Sequence, residues 1–371
     1  MPKIRVLVVD DSVVIRRLVS DAINADPELE VVGVAANGRI ALSKMTQVQP
    51  DIVILDVEMP EMDGLETLAE IRKTHRRLPV IMFSTVTERG AHCTLEALTR
   101  GASDYVTKPA NIGSVGEAQQ RLRSELIPKI KQFCKTGGTP TQLRSSAFPA
   151  PVSPAVKLPS VPSVPQRIDV VVIGVSTGGP DALMKLIPTL PADMPVPILI
   201  VQHMPPVFTK LLADRLTTMS GLSVKEAEPG ERISAGGVWI APGDYHLALS
   251  RREGQVVLQT NQDPPENSCR PAVDVLFRTA VETYGAHILG VILTGMGKDG
   301  CRGCELIRAA GGQVVAQDEA SSVVWGMPGF VVRGGLANEV LPLNQIAAEI
   351  VRRVSYGRTS VSPTRLEIRQ K

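Results

Sequence analysis

A serine within a glycine-rich segment is the first candidate for chemistry in this sequence. Ser176 follows the apolar run 168–173 in Gly-Val-Ser-Thr-Gly, which Gly179 and Pro180 extend. Glycines permit a tight turn, and proline is favoured in the first turn of a helix. The segment therefore predicts a strand, a turn that exposes Ser176, and a helix whose N–H groups suit an oxyanion. The turn alone fits a phosphate-binding or purely structural role equally well.

The other members of a serine site would come from later strands. A serine nucleophile needs a base and a group that orients the base. His203 ends the apolar run 198–202, and Asp299 follows the run 288–293. The C-terminal ends of parallel strands share one edge of the sheet, so Ser176, His203 and Asp299 can converge there. Their order along the chain differs from the Ser, Asp, His order of α/β-hydrolases, but geometry defines a triad.

Acidic side chains follow strands in the first third of the chain. Asp10 and Asp11 come after the run 4–9, and Asp56 follows the run 52–55. Carboxylates that share a sheet edge repel one another unless a cation lies between them, and Mg²⁺ suits oxygen ligands. Ser84 and Lys108 would reach the same edge. A hydroxyl and an ammonium beside a metal-bound carboxylate predict a phosphoryl acceptor, which needs charge neutralisation and in-line positioning.

Alternating apolar and helical patterns supply the elements that position the acidic site. The predicted strands are 4–9, 31–35, 52–55, 80–83 and 104–106. The predicted helices are 12–25, 38–47, 64–73, 89–99 and 114–134. Such alternation predicts an α/β fold with a doubly wound parallel sheet.

The same rhythm returns after a connector. Residues 135–167 carry seven prolines and no Asp or Glu, which predicts an extended, semi-rigid linker. A spacer is the interpretation that we favour for it, and a docking segment for a partner is the alternative. The later predicted strands are 168–173, 198–202, 238–241, 288–293 and 313–316. The later predicted helices are 182–190, 208–219, 272–284, 300–310 and 344–353. We expect a second, mostly parallel sheet, with a hairpin of 246–250 and 255–260 appended to it.

Composition excludes several functional classes. A net charge of +2 argues against a nucleic-acid-binding surface, and the chain has no apolar run long enough for membrane insertion. Five scattered cysteines predict no disulfide framework, so we expect a cytoplasmic protein. Among them, Cys301 and Cys304 form a Cys-x-x-Cys pair that could be redox-active or half of a zinc site. Two small buried residues are the interpretation that we favour for this pair.

The acidic residues together carry a resemblance. The Asp-Asp pair, the isolated aspartate, the Ser-Thr pair and the Lys-Pro pair resemble the receiver domain of bacterial two-component response regulators over residues 1–125. The resemblance implies that Asp56 is phosphorylated and that Lys108 contacts the phosphoryl group. It also implies Ser84 and Tyr105 as a switch pair. The Mg²⁺ ligands that it implies are Asp10, Asp11, Asp56 and the backbone carbonyl of Glu58.

The second half resembles the chemotaxis protein-glutamate methylesterase family, CheB. Five segments carry this resemblance: Gly-Val-Ser-Thr-Gly-Gly-Pro, Val-Gln-His-Met-Pro, Ala-Pro-Gly, Arg-Pro-Ala-Val-Asp-Val-Leu-Phe and Leu-Thr-Gly-Met-Gly-x-Asp-Gly. It implies Ser176, His203 and Asp299 as the triad. It further implies Thr177 close to the imidazole and the backbone of Met296 near the oxyanion. This chain departs from the family pattern at Cys269, directly before the Arg-Pro-Ala segment, and at the Cys301 and Cys304 pair beside Asp299.

The two resemblances together imply an activity and an architecture. The activity is hydrolysis of glutamate methyl esters on cytoplasmic helices of methyl-accepting chemoreceptors, with methanol release, and deamidation of particular receptor glutamines. A chemotaxis histidine kinase would be the phosphodonor. Mg²⁺ is expected at the receiver and no cofactor at the catalytic site. We expect a receiver domain at 1–125, a helix end and linker at 126–167, a catalytic domain at 168–356 and a tail at 357–371.

A binding module is the main alternative to an enzyme. The receiver could control a C-terminal domain that holds a nucleotide or a partner. The turn at Ser176 lacks the Gly-x-Gly-x-x-Gly spacing and the later acidic residue of a dinucleotide site. A DNA-binding output is disfavoured because the sequence has no basic recognition helix.

Overall fold

Two parallel sheets organise the chain, one in each half. The computed structural model describes residues 2–109, 115–135 and 166–358. Residues 136–165 of the predicted linker and 359–371 of the predicted tail lie outside the described residues, so the expectations for these segments stay predictions.

The N-terminal sheet has five parallel strands. They are β1 (Ile4–Val9), β2 (Leu29–Ala35), β3 (Ile52–Asp56), β4 (Val80–Ser84) and β5 (Asp104–Thr107). The helices are α1 (Val13–Asn24), α2 (Gly38–Val48), α3 (Gly64–Thr74), α4 (Glu88–Thr99) and α5 (Val115–Lys135). The strand order β2-β1-β3-β4-β5 is that of a doubly wound sheet, so the predicted fold class is confirmed for this half.

The C-terminal sheet has seven parallel strands in the order β14-β13-β12-β6-β7-β9-β8. Its strands are β6 (Val170–Val175), β7 (Ile198–Gln202), β8 (Ser223–Glu226), β9 (Gly237–Ile240), β12 (Ile288–Ile292), β13 (Gln313–Gln317) and β14 (Glu339–Leu341). The helices are α6 (Gly179–Leu186), α7 (Phe208–Met219), α8 (Val273–Tyr284), α9 (Cys301–Ala309), α10 (Met327–Arg333) and α11 (Leu343–Ser355). A 3-10 helix, Ile187–Thr189, extends α6.

Burial explains which strands the sequence predicts well. Every residue of β6, β7 and β12 is buried, as expected where helices cover both faces of a parallel sheet. By contrast, β8 and β14 lie at the two edges of the sheet, are short and are only partly buried. These edge strands and the seven-residue α10 lack a long apolar pattern, so the sequence does not predict them.

The predicted hairpin is present but pairs separately. Strands β10 (His246–Arg252) and β11 (Gln255–Asn261) form an antiparallel two-stranded sheet. The hairpin packs on the catalytic half by side chains, since Leu247, Leu249 and Leu258 are buried in a core cluster with residues of α8. The hairpin is therefore attached by packing and not by extension of the main hydrogen-bonded sheet.

A turn signal brings α3 close to the end of β3. Asp63 accepts a hydrogen bond from the backbone N–H of Glu66 (2.8 Å), and the Glu66 carboxylate accepts one from the Asp63 N–H (3.1 Å). This capping box starts α3 at Gly64. A Cβ atom at Gly64 would lie 2.2 Å from the carbonyl oxygen of Asp56. Glycine therefore lets α3 begin directly beside the predicted phosphoryl acceptor.

The two halves contact each other through α4, β5 and α7. The ring of Tyr105 stacks on the ring of Phe208, with centroids 5.0 Å apart and planes 7° from parallel. The guanidinium of Arg215 donates a hydrogen bond to Thr99 Oγ1 at 3.0 Å. One buried apolar cluster contains residues from both sheets. None of the described helices is both long and apolar enough to cross a membrane.

Glu349 on α11 provides a test of folded-state electrostatics. Hydrogen bonds from Arg352, opposed by burial and reinforced by Arg353, lower the pKa of the Glu349 carboxyl from 4.5 to about 2. A lowered folded-state pKa contributes stability above the unfolded pKa of 4.5, and this contribution is lost as the pH falls towards 2. We expect Glu349→Gln to reduce the free energy of unfolding by about 1–3 kcal/mol at neutral pH.

Urea unfolding at neutral pH and near pH 2 measures this effect. The difference between wild type and Glu349→Gln should shrink at the acidic pH. The control Glu305→Gln removes a half-exposed pair with Arg302 and should change stability by less than about 1 kcal/mol. An equal loss for Glu349→Gln at both pH values would contradict the assignment.

Candidate active site

Ser176 occupies a turn that backbone contacts hold in place. Its N–H donates to the carbonyl oxygen of Thr294 at 3.0 Å, and its own carbonyl oxygen accepts from the Gly179 N–H at 2.7 Å. Gly178 has φ +74°, and a Cβ atom there would lie 2.5 Å from Val323 Cβ. The turn therefore needs glycine both for its backbone angle and for space.

His203 lies at the next strand end. Strand β7 pairs with β6 in parallel, with Val175 opposite Gln202, so Ser176 and His203 each follow this pair. The His203 N–H also donates to the carbonyl oxygen of Val175 at 3.2 Å. Ser176 and His203 line the same cavity, whose volume is about 630 Å³. The predicted neighbouring strands thus bring the serine and the imidazole to one cleft.

Asp299 approaches His203 from beyond the other neighbour of β6. Strand β12 pairs with β6 on the side opposite β7. His203 Nε2 lies 2.8 Å from Asp299 Oδ2. An ionised carboxylate only accepts hydrogen bonds, so Nε2 carries the proton and donates it. In the neutral imidazole, Nδ1 is then the nitrogen that carries the lone pair.

The Asp299 carboxylate is held by N–H groups around it. Oδ2 also accepts from the Val273 N–H (2.6 Å), and Oδ1 accepts from the N–H groups of Asp274 (3.1 Å) and Gly300 (3.0 Å). Val273 and Asp274 form the first turn of α8, where exposed N–H groups and the helix dipole favour an anion. The carboxylate is therefore fixed before it contacts the imidazole.

The buried pair shifts both ionisations. Burial raises the pKa of Asp299. The His203 contact and the hydrogen bonds from backbone N–H groups lower it by more, so the pKa of Asp299 is lowered overall. Burial lowers the pKa of His203, but the hydrogen bond to Asp299 and the contact with Cys269 outweigh it, so the net shift is upward. The site consequently stabilises the imidazolium that forms when His203 takes a proton.

Two residues beside this pair have no role predicted from the sequence. Asn267 Nδ2 donates to Asp299 Oδ1 and to Asp274 Oδ2, both at 2.9 Å, and so bridges two buried carboxylates. Cys269 Sγ lies 3.6 Å from His203 Nδ1. Both residues belong to the loop before α8, far from His203 and Asp299 along the chain. Their position next to the Arg-Pro-Ala segment was the only signal in the sequence.

Thr177 and Met296 lie beside the serine. Thr177 is buried, and its carbonyl oxygen accepts from Thr294 Oγ1 at 3.0 Å. Met296 lines the cavity with Ser176. A Cβ atom at Gly295 would lie 2.9 Å from Ser176 Cβ, so glycine lets the Met296 segment approach the serine closely. The roles expected for Thr177 and Met296 at the oxyanion stay predictions.

The Cys-x-x-Cys pair lies at the start of α9. Cys304 is fully buried in the apolar core, and Cys301 is half-buried. Burial raises the pKa of both thiols, which disfavours the reactive thiolate. These surroundings fit the structural interpretation of the pair.

Three carboxylates converge at the N-terminal sheet edge. Oxygen atoms of Asp10, Asp11 and Asp56 lie within 4.8 Å of one another. Lys108 Nζ lies 2.8 Å from both Asp10 Oδ2 and Asp56 Oδ2. A cluster that offers only oxygen donors fits Mg²⁺. Burial raises the pKa of Asp56 to about 6, although Lys108 opposes the shift, and a bound cation would favour the ionised carboxylate.

The remaining predicted switch residues flank this edge. Ser84 is fully buried at the end of β4, and its hydroxyl donates to the carbonyl oxygen of Thr85 at 3.2 Å. The Glu58 N–H donates to Asp56 Oδ1 at 3.3 Å. Tyr105 is buried on β5 against Phe208 of the other half. The roles predicted for Ser84, Tyr105 and the Glu58 carbonyl stay predictions.

The cavity that contains Ser176 has walls from both halves. One wall comes from the catalytic half and includes His203 and Met296. The other comes from β5 and α5 of the N-terminal half and includes Arg121 and Lys129. The fold and site therefore define a receiver domain joined to an α/β domain with a serine, a histidine and an aspartate at adjoining strand ends.

Comparisons with known proteins agree with this class. The family model of the response regulator receiver domain matches residues 6–119, and that of the CheB methylesterase matches residues 171–350. A protein-glutamate methylesterase/protein-glutamine glutaminase of Trichodesmium erythraeum is 54% identical over 95% of this chain and 100% of that protein. A protein of the same name from Nocardioides sp. is 52% identical over 98% of this chain and 99% of that protein.

A solved CheB methylesterase catalytic domain of Thermotoga maritima is 47% identical, covers 50% of this chain and 99% of that chain, and has a TM-score of 0.49. The full-length relatives decide the identification. The chain belongs to the protein-glutamate methylesterase/protein-glutamine glutaminase family. The full-length relatives do not favour the alternative of a nucleotide- or partner-binding module.

Asp299→Asn tests the contact between Asp299 and His203. Backbone N–H groups face both carboxylate oxygens, so an amide nitrogen would meet a donor in either orientation. We expect the rate at which a fluorophosphonate labels Ser176 to fall by roughly 10²- to 10⁴-fold. Mass spectrometry of the labelled protein over time measures this rate.

Two variants control the labelling experiment. Ser176→Ala should abolish labelling, and Asp193→Asn, at an exposed position outside the site, should label like wild type. Equal labelling rates for wild type and Asp299→Asn would show that Asp299 does not support the nucleophile.

Proposed function

We propose that this chain is a phosphorylation-regulated hydrolase of chemotactic adaptation. Its substrates are glutamate methyl esters and particular glutamines on the cytoplasmic helices of chemoreceptors, and it acts in the cytoplasm. The observation that carries the proposal is the 2.8 Å contact between His203 Nε2 and Asp299 Oδ2 at the strand end next to Ser176. The names of relatives 52–54% identical over nearly the whole chain support the substrate class.

The chemistry is acyl transfer to water through Ser176. The Ser176 hydroxyl attacks the side-chain carbonyl carbon of the substrate, and His203 Nδ1 takes its proton. The imidazolium then protonates the leaving group, which is methanol from an ester or ammonia from a glutamine. Water attacks the acyl-enzyme by the same route and releases glutamate. Asp299 keeps Nε2 occupied, so that Nδ1 is the nitrogen that exchanges protons.

Backbone N–H groups near Thr177 and Met296 would hold the oxyanion. Thr177 directly follows Ser176 in the chain. Met296 directly follows Gly295, whose main chain lies close to Ser176, and the Ser176 N–H bonds to the carbonyl oxygen of Thr294. Removal of one such donor in a serine hydrolase costs about 3–4 kcal/mol of transition-state stabilisation. The reaction that we propose uses only this chain's side chains, its N–H groups and water.

The receiver would control access to this site. Asp56 accepts the phosphoryl group from a chemotaxis histidine kinase, and Lys108 contacts that group. Mg²⁺, when bound, neutralises charge at the acceptor. The residues that would hold it are Asp10, Asp11, Asp56 and the Glu58 carbonyl.

The receiver forms part of the wall of the cleft that contains Ser176, and this supports the regulatory part of the proposal. The receptor substrate is an α-helix, which is about 10–12 Å across with its side chains. The receiver's β5 and α5 form one wall of the cavity around Ser176, so a helix needs the two halves to separate. We propose that phosphorylation of Asp56 moves Ser84 and Tyr105 and weakens this packing.

Methanol release from methylated receptor membranes tests the activity. With a small-molecule phosphodonor and Mg²⁺ present, wild type should release methanol and Ser176→Ala should release none above background. His203→Ala should lose the activity too, because the serine loses its base. Release by Ser176→Ala equal to that by wild type would overturn the proposed nucleophile.

Tyr105→Ala tests the packing between the halves. Stacked aromatic pairs contribute about 0.5–1.5 kcal/mol beyond their buried area. We expect the methanol-release rate without phosphodonor to rise about two- to tenfold in this variant. Tyr356→Ala, at an exposed position after α11, is the matched control and should match wild type. An unchanged resting rate in Tyr105→Ala would mean that this stack does not hold the resting state.

A further inference from the structure

The contact between Cys269 and His203 is not used by the proposed reaction. Cys269 Sγ lies 3.6 Å from Nδ1, the ring nitrogen that does not bond to Asp299. The thiol is half-buried and is also 3.5 Å from the carbonyl oxygen of Asn267. A soft sulfur donor therefore faces the lone pair of the imidazole inside the cavity.

The spacing of these two donors suits a metal ion. Zinc binds thiolate sulfur at about 2.3 Å and imidazole nitrogen at about 2.0 Å, so the tetrahedral angle puts the two ligands about 3.5 Å apart. The observed separation of 3.6 Å is close to that value. The separation of the two atoms therefore allows one ion to bind both.

Asp299 contacts the His203 ring at Nε2, the nitrogen that would not bind the ion. Metal-bound histidines almost always donate their second ring N–H to a carboxylate, a backbone carbonyl or water, which fixes the ring and strengthens the ligand. His203 Nε2 makes this bond to Asp299. The other hydrogen bonds to Asp299 come from backbone N–H groups and from Asn267. Asp299 is therefore the orienting partner and Nδ1 and Sγ are the ligands.

We propose that Cys269 Sγ and His203 Nδ1 form an inhibitory Zn²⁺ site in the substrate cavity. The remaining positions on the ion face the cavity and take water. Binding replaces the thiol proton, which passes to solvent. An ion on Nδ1 occupies the lone pair that would accept the Ser176 proton, so the loaded enzyme cannot activate its serine.

The two donor clusters in the described part of the chain differ in ligand type. Donor clusters in the described part of the chain occur at two places, the receiver carboxylates and the group of His203, Cys269 and Asp299. The first offers only oxygen and suits Mg²⁺, whereas thiolate and imidazole select zinc. Zinc binding at this site is independent of the proposed function, whereas inhibition by zinc rests on the proposed function.

Cobalt(II) absorption tests the binding claim without an activity assay. The full chain is titrated with Co²⁺ in saturating Mg²⁺, which occupies the receiver site. A thiolate-to-cobalt charge-transfer band should appear in wild type and in Ser176→Ala. It should be absent in Cys269→Ser and retained in the matched control Cys301→Ser. No band in wild type, or a band that Cys269→Ser retains, overturns the proposal.

Zinc titration of methanol release tests inhibition, with each variant compared with its own zinc-free rate. Wild type should be inhibited, and a chelator should restore its rate. Cys269→Ser should need at least about tenfold more zinc for half-inhibition. A cobalt band with no zinc inhibition overturns the inhibitory role. A cobalt band in a wild type that releases no methanol even without zinc leaves the metal site standing and removes the proposed function.

Discussion

One constraint runs through both halves of the molecule: parallel strands end at the same edge of their sheet. In the C-terminal half, β6 lies between β7 and β12, so the residues after these strands are neighbours in space. Ser176, His203 and Asp299 are such residues. In the N-terminal half, β1 and β3 are adjacent, and Asp10 and Asp56 meet at their ends. The same geometry thus brings together the residues of the proposed nucleophile site and of the proposed phosphoryl-acceptor site.

Buried charge at these edges has to be compensated, and the compensation defines the sites. Asp299 is 2% exposed, and an isolated carboxylate there would cost several kcal/mol. The N-terminus of α8 and the imidazole of His203 offset that cost and fix the direction of the carboxylate. At the receiver, Lys108 bridges two carboxylates in the same way. Removing one partner from either site leaves a charge without its counterpart.

The elements that the sequence predicted well are those with continuous apolar runs. β6, β7 and β12 are buried on both faces, and their patterns gave the neighbours of Ser176 correctly. Edge strands β8 and β14 carry too few buried residues to form such a pattern. Contacts between segments that are far apart along the chain could not be predicted from the sequence either. Cys269 meets His203, and Tyr105 meets Phe208, only because loops and whole halves pack together.

The proposed regulation requires that phosphorylation at the carboxylate edge of the receiver changes the activity of the serine site. Methanol release by the full chain, measured in wild type and in Asp56→Asn as a small-molecule phosphodonor and Mg²⁺ are added, tests this requirement. The wild-type rate should rise with the phosphodonor, and the rate of Asp56→Asn should stay at its resting value. A wild-type rate that does not change when the phosphodonor is added, or an equal rise in Asp56→Asn, would contradict the proposed regulation.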